Sequence, residues 1–111
     1  MSNVRVLVSD KLSEAGLNVL REAPGVELEY KPGMSEDELC AVVGDFDGLI
    51  IRSGTQVTAK VVDAADKLRV VGRAGIGVDN VDIPAASRRG IVVMNTPTGN
   101  SVTTAEHALA L

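Results

Sequence analysis

Four stretches of the 111-residue chain, Ser9-Asp10, Arg52-Ser53-Gly54-Thr55, the run from Arg73 through Gly75-Ile76-Gly77 to Asn80, and Asn95 through Gly99-Asn100-Ser101, together make a lining suited to holding a small anion. An arginine offers a planar fork of N–H donors that matches carboxylate or phosphate. Glycines let backbone N–H groups come close to the same oxygens. Each stretch directly follows an apolar run, and open parallel sheets bind ligands beyond the carboxyl ends of their strands. The inventory is two guanidinium groups, hydroxyls, amides and glycines, with no paired carboxylates, so it suits anchoring more than acid–base work. A single arginine at a strand end is as readily a solvated or structural ion pair. Two arginines and two glycine-rich loops converging on one edge favour the binding reading.

The positioning elements follow from apolar periodicity. Val4-Arg5-Val6-Leu7-Val8 predicts a first strand, and Leu17 and Leu20, with Leu12 just before, place apolar side chains on one face of a helix over residues 13–22 that Pro24-Gly25 ends. Val26-Glu27-Leu28-Glu29-Tyr30 alternates with period two, as in a half-buried strand near an edge. Ser35 with Glu38 forms a capping box that opens a helix carrying Leu39, Val42 and Val43. Gly48-Leu49-Ile50-Ile51 is wholly apolar and suits a central strand. Thr58 caps a helix through about Ala65, strands are expected at 68–71 and 91–94, and Asp82, Pro84 and Gly90 frame the helix between them. Thr103 and Glu106 form a second capping box, for a helix containing Ala108, Leu109 and Leu111. Five strands joined by helices make right-handed βαβ units. The expected fold is α/β, a doubly wound five-stranded parallel sheet of flavodoxin-like order 2-1-3-4-5.

Bulk properties narrow the function classes. Hydrophobic residues at 45% and charged residues at 23% fall in the range of soluble globular domains, so one core is expected. A net charge of −4 argues against nucleic acid or anionic membrane as partners. No apolar stretch approaches the roughly 18 residues of a membrane span, and the first residues lack the pattern of a secretory signal. Cys40 is the only cysteine, which excludes an intrachain disulfide and makes a reducing, cytoplasmic setting the default. Cys40 itself fits a small core hydrophobe. Glu36, Asp37 and Glu38 form an acidic helix start, favoured by the helix dipole, and not a metal site.

Gly75-Ile76-Gly77 begins like a dinucleotide fingerprint but does not complete it. That motif needs a third glycine and a helix immediately after, so that pyrophosphate meets the helix N-terminus. Asn80 occupies the third position and the helix waits until after Asp82. What remains is a glycine-flanked turn presenting amides, with Asp79 and Asn80 shaping the approach to the next helix.

The run Val71-Gly72-Arg73-Ala74-Gly75-Ile76-Gly77-Val78-Asp79-Asn80-Val81-Asp82 resembles the signature of the D-2-hydroxyacid dehydrogenase family. Gly48 to Thr55 and Val93 to Ser101, followed by Ala105-Glu106, resemble two further elements of the branch of that family that acts on 3-phosphoglycerate. The resemblance extends over essentially the whole chain, and three linked motifs in order make it specific. The resemblance implies a substrate-binding domain over residues 1–99 and, over 100–111, the start of a helix leading to an NAD-binding Rossmann domain that these residues do not contain. It implies substrate contacts from Arg52, Ser53, Arg73, Gly75, Ile76, Gly77 and Asn100, with Ile76 also beside the nicotinamide of NAD. It implies oxidation of 3-phosphoglycerate to 3-phosphohydroxypyruvate at the entry to serine biosynthesis, in a homodimer or homotetramer. The family's catalytic Arg, Glu and His lie downstream of these residues, so the chain is expected to anchor substrate and to be inactive alone. His107, inside the last expected helix, matches no catalytic position.

Two rivals come from other classes. A signalling receiver domain shares this length and sheet order, but it needs an acidic cluster after the first strand and an Asp ending the third, where Arg52 stands. A stand-alone anion-binding module should close its last helix, whereas Ala110-Leu111 carries neither a C-cap glycine nor a basic last turn. Within the enzyme reading, glycerate or lactate is the alternative substrate.

Overall fold

The computed structural model describes residues 4–11, 14–22, 25–52, 54–74 and 80–96. The elements run β1 (Val4–Val8), α1 (Glu14–Glu22), β2 (Val26–Tyr30), α2 (Glu36–Val42), a 3₁₀ turn (Val43–Asp45), β3 (Gly48–Ile51), α3 (Ala59–Ala64), β4 (Val70–Ala74), α4 (Ile83–Arg88) and β5 (Val92–Thr96). The strands form one sheet in the order β2-β1-β3-β4-β5, every neighbouring pair parallel. The architecture is the one the sequence predicts.

Side chains alternate across the sheet and so serve two cores. Leu7, Leu49, Ile51 and Val71 pack on one face with Leu39, Val43, Val61, Val62, Ala85 and Ala86 from α2, the 3₁₀ turn, α3 and α4. Val6, Val8, Ile50 and Val70 pack on the other with Leu17 of α1. All four residues of β3 are buried, which is why that strand has no polar position. The edge strand β2 keeps its alternation because one side meets water.

Helix starts are fixed by side-chain caps at the predicted residues. Ser35 Oγ accepts from the Glu38 amide while Glu38 Oε1 accepts from the Ser35 amide. Thr58 caps α3 through the Val61 amide, and Asp82 caps α4 through the Ala85 amide. Gly90 follows α4 with φ of 73°, a conformation open to glycine and strained for other residues. The second expected box, at Thr103 and Glu106, lies outside the described residues, as does His107.

Two strands differ from expectation. β4 begins at Val70 and not at Leu68, and both β4 and β5 run further, to Ala74 and Thr96. Leu68 is buried ahead of the ladder, and the Arg69 amide donates to Asp47 O at 2.8 Å. Gly72 pairs with Ile50 and Met94, and Arg73 with Ile51 and Asn95. Flanking strands on both sides extend β4 through residues that are poor strand formers by themselves. Arg73 is therefore a half-buried strand residue, not the loop residue the sequence suggested.

Candidate functional site

After β1 the chain turns to the face covered by α1, and after β3 to the face covered by α3. These adjacent strands send their connections apart, which is the topological switch point where open α/β sheets leave a crevice. Here the crevice has a volume of about 290 Å³ and is lined by Asp10, Lys11, Arg52 and Gly54.

The loop after β3 is held by two buried side chains from other parts of the chain. Asp10 Oδ2 accepts from the Arg52 amide at 2.7 Å and from the Thr55 amide at 2.9 Å. Asn80 Nδ2 donates to Arg52 O at 2.7 Å and to Thr55 O at 2.5 Å. The same two residues thus have their N–H groups taken by Asp10 and their carbonyls by Asn80. Asp10 is 9% exposed and Asn80 8%, so losing either would leave desolvated backbone groups unpaired. Ser9 Oγ lies 2.9 Å from Thr55 Oγ1, which donates to Ser9 O at 3.3 Å, closing the base of the crevice. A Cβ on Gly54 would sit 2.7 Å from Asp10 Oδ1, so the absence of a side chain is what lets the carboxylate come so near. Asn80 is anchored in turn: its carbonyl accepts from Val57 N at 2.7 Å, beside the Val57–Val81 bridge.

Arg52 leaves β3 with its backbone fixed and its side chain exposed, Nη1 donating to Lys11 O at 3.3 Å. That bond uses one of five guanidinium N–H donors and leaves a fork available to an anion at the crevice mouth. Arg73 stands on the neighbouring strand, in register with Ile51. Of the seven predicted substrate residues the structure therefore places Arg52 directly after β3 and Arg73 within the neighbouring β4, at the carboxyl edge. Ser53, Gly75, Ile76, Gly77 and Asn100 lie outside the described residues.

Shifted titrations occur elsewhere, on α2 and α3. The Lys60 ammonium bonds Asp37 and holds its carboxyl below the usual range, while Asp37 pushes Lys60 up. Burial pushes the Cys40 thiol up, against the opposing pull of Lys60. Cys40 packs partly buried against the larger core, which fits the structural role read from its helix. Among the described residues no group of three His, Cys, Asp or Glu side chains could hold a metal. Those residues do not fit a dinucleotide either. The sequence has no complete G-x-G-x-x-G, and the described loop glycine at this edge, Gly54, precedes a helix that begins only at Ala59.

Sequence reasoning missed the roles of Asp10 and Asn80. Asp10 was a lone acid after β1, and Asn80 a turn former before α4. The available signal was type and place: a short acceptor and a short amide, each at a strand end opposite the same loop.

A parallel five-stranded sheet with helices on both faces and a polar crevice at the switch point define an open, doubly wound α/β domain. The chain belongs to the D-isomer specific 2-hydroxyacid dehydrogenases, whose catalytic-domain model matches residues 6–110. It is 47% identical over 96% of its length to a D-3-phosphoglycerate dehydrogenase of Synechocystis sp., and 53% identical over 92% to one of Homo sapiens. It spans only 19% of the length of each. Among solved structures it resembles a cofactor (NAD+)-bound 3-phosphoglycerate dehydrogenase of Entamoeba histolytica, with TM-score 0.78 and 29% identity, covering 86% of this chain and 33% of that one. No helix among the described residues is long and apolar enough to cross a membrane.

Proposed function

We propose that this chain is the substrate-binding part of an NAD-dependent dehydrogenase that oxidises 3-phosphoglycerate to 3-phosphohydroxypyruvate, the entry step of serine synthesis. The observation that carries the reading is Arg52, whose backbone is fixed on both sides and whose exposed guanidinium stands with Lys11 at the switch-point crevice. High identity to relatives bearing the phosphoglycerate dehydrogenase name supports the choice of substrate.

In this reading Arg52, Ser53, Arg73, Gly75, Ile76, Gly77 and Asn100 hold the substrate, and Ile76 also meets the cofactor. Residues 1–99 form the substrate domain, and 100–111 begin the connection to a nucleotide domain. NAD is held mainly by that second domain and accepts the hydride when bound. The residues of this chain anchor the anionic acid, orient its carbinol carbon and supply no proton acceptor, so the chain alone is inactive. The complete enzyme is a cytoplasmic homodimer or homotetramer, and the net charge of −4 supports partners other than nucleic acid.

The test is NAD reduction by the complete gene product with 3-phosphoglycerate, D-glycerate and D-lactate in parallel. Turnover of 3-phosphoglycerate is expected. Turnover of only another acid would keep the family and overturn the substrate.

A further inference from the structure

We propose that Asp10 and Asn80 are positioning residues for the anionic substrate, an acceptor and a donor that together fix the backbone carrying Arg52. The inference rests on the substrate role of the loop after β3 given above. Neither side chain needs to touch substrate. Asp10 supplies one carboxylate oxygen to two amides, and Asn80 supplies one amide nitrogen to two carbonyls, all four groups belonging to Arg52 and Thr55.

The arrangement reaches across the fold. Asp10 follows β1, Asn80 follows β4, and the loop they grip follows β3, the strand between those two in the sheet. The crevice loop is thus held by segments that follow both neighbouring strands, at separations of 42 and 28 residues in sequence from Arg52. Ser9 and Thr55 lock the same corner through their hydroxyls. Gly54 admits the carboxylate at a distance no side chain would allow. Four features therefore converge on one peptide segment that an isolated sheet has no need to hold so tightly, since the ladder itself ends at Ile51.

The two grips have opposite chemical requirements, and this gives the test. At position 10 an acceptor is needed, so Asp10→Asn keeps an oxygen for both amides while Asp10→Ala does not. At position 80 a donor is needed, so Asn80→Asp sets a carboxylate against two carbonyl oxygens. In the complete enzyme, kcat/KM for 3-phosphoglycerate is expected to fall about ten- to hundredfold in Asp10→Ala and Asn80→Asp, because ångström-scale misplacement of a binding group costs that much. Asp10→Asn should recover most of the loss, and KM for NAD should stay near wild type throughout. A purely structural role would lower melting temperature and yield, leave KM for the acid unchanged in the folded fraction, and confine the opposed preference for amide and acid to stability.

Arg52→Ala in the same series separates this proposal from the reading beneath it. A raised KM in Arg52→Ala with none in folded Asp10→Ala or Asn80→Asp overturns the positioning alone. Raised values in the loop variants but not in Arg52→Ala support positioning, with the loop backbone and not the guanidinium as the anchor. Unchanged values in all three remove the loop from the site and overturn both. Should Asp10→Ala not fold, the contrast between Asp10→Asn and Asn80→Asp decides, and equal effects of those two would sink the proposal.

Discussion

Under the proposed function, what is done to the backbone of Arg52 is what makes its side chain useful. Its amide and carbonyl are both committed inside the protein, so the long side chain extends from a fixed root. A fixed root reduces the entropy lost when the guanidinium closes on an anion. Arg52→Ala in the complete enzyme should weaken binding of 3-phosphoglycerate by about 1.5–3 kcal/mol, the range for a hydrogen bond to a charged group. A raised KM for the acid with an unmoved KM for NAD is the expected reading, and an unchanged KM for the acid would remove Arg52 from the site. Arg52 was picked out in the sequence by its place directly after an all-apolar strand, and the structure puts it at the lining of the switch-point crevice. Asp10 and Asn80 were not legible. Their partners are backbone groups, which carry no residue type, and they lie 42 and 28 residues from Arg52.

At the scale of elements, local rules were enough wherever the determinant was local. Ser35, Thr58 and Asp82 cap the helices they were expected to cap, because a hydroxyl or carboxylate at that position reaches amides two or three residues on. The capping box has a measurable worth. Ser35→Ala should cost about 0.5–2 kcal/mol in urea unfolding, whereas Ser35→Asp should cost little, since either side chain can accept from the Glu38 amide. Equal losses in both variants would mean that α2 is held by packing through Leu39 and not by its cap. The ends of β4 and β5 escaped local rules for the converse reason. Gly72, Arg73 and Asn95 have no strand preference of their own, and only the ladders formed with Ile50 and Ile51 on one side and Met94 on the other decide their conformation. The consequence reaches the carboxyl edge of the sheet, since Arg73 becomes part of a strand paired on both sides, with Ile51 and Asn95.

Across the whole molecule, stability should be concentrated where the two cores share a wall. That wall is β3, paired on both sides, covered on both faces and without a polar residue. Leu49 faces the larger core at 0% exposure among side chains from α2, α3 and α4. Truncating it leaves a cavity that several rigid neighbours cannot all close, and such changes cost about 2–5 kcal/mol. Val92, on the edge strand β5, is 53% exposed and should tolerate Val92→Ala within about 0.5 kcal/mol, as surface sites generally do. The pair is best compared by equilibrium denaturation of the same protein, with the dependence on denaturant checked for constancy so that the midpoints can be compared. If β3 is the shared wall, Leu49→Ala should also lower the opening energies of amides in β1 and β4 by the same amount as the global loss, because those strands cannot stay paired once β3 departs. Loss confined to β3 itself would show that the two cores unfold independently. In that case the crevice, whose loop follows β3 and is gripped by residues that follow β1 and β4, would owe its shape to the side-chain bonds of Asp10 and Asn80 more than to the sheet below.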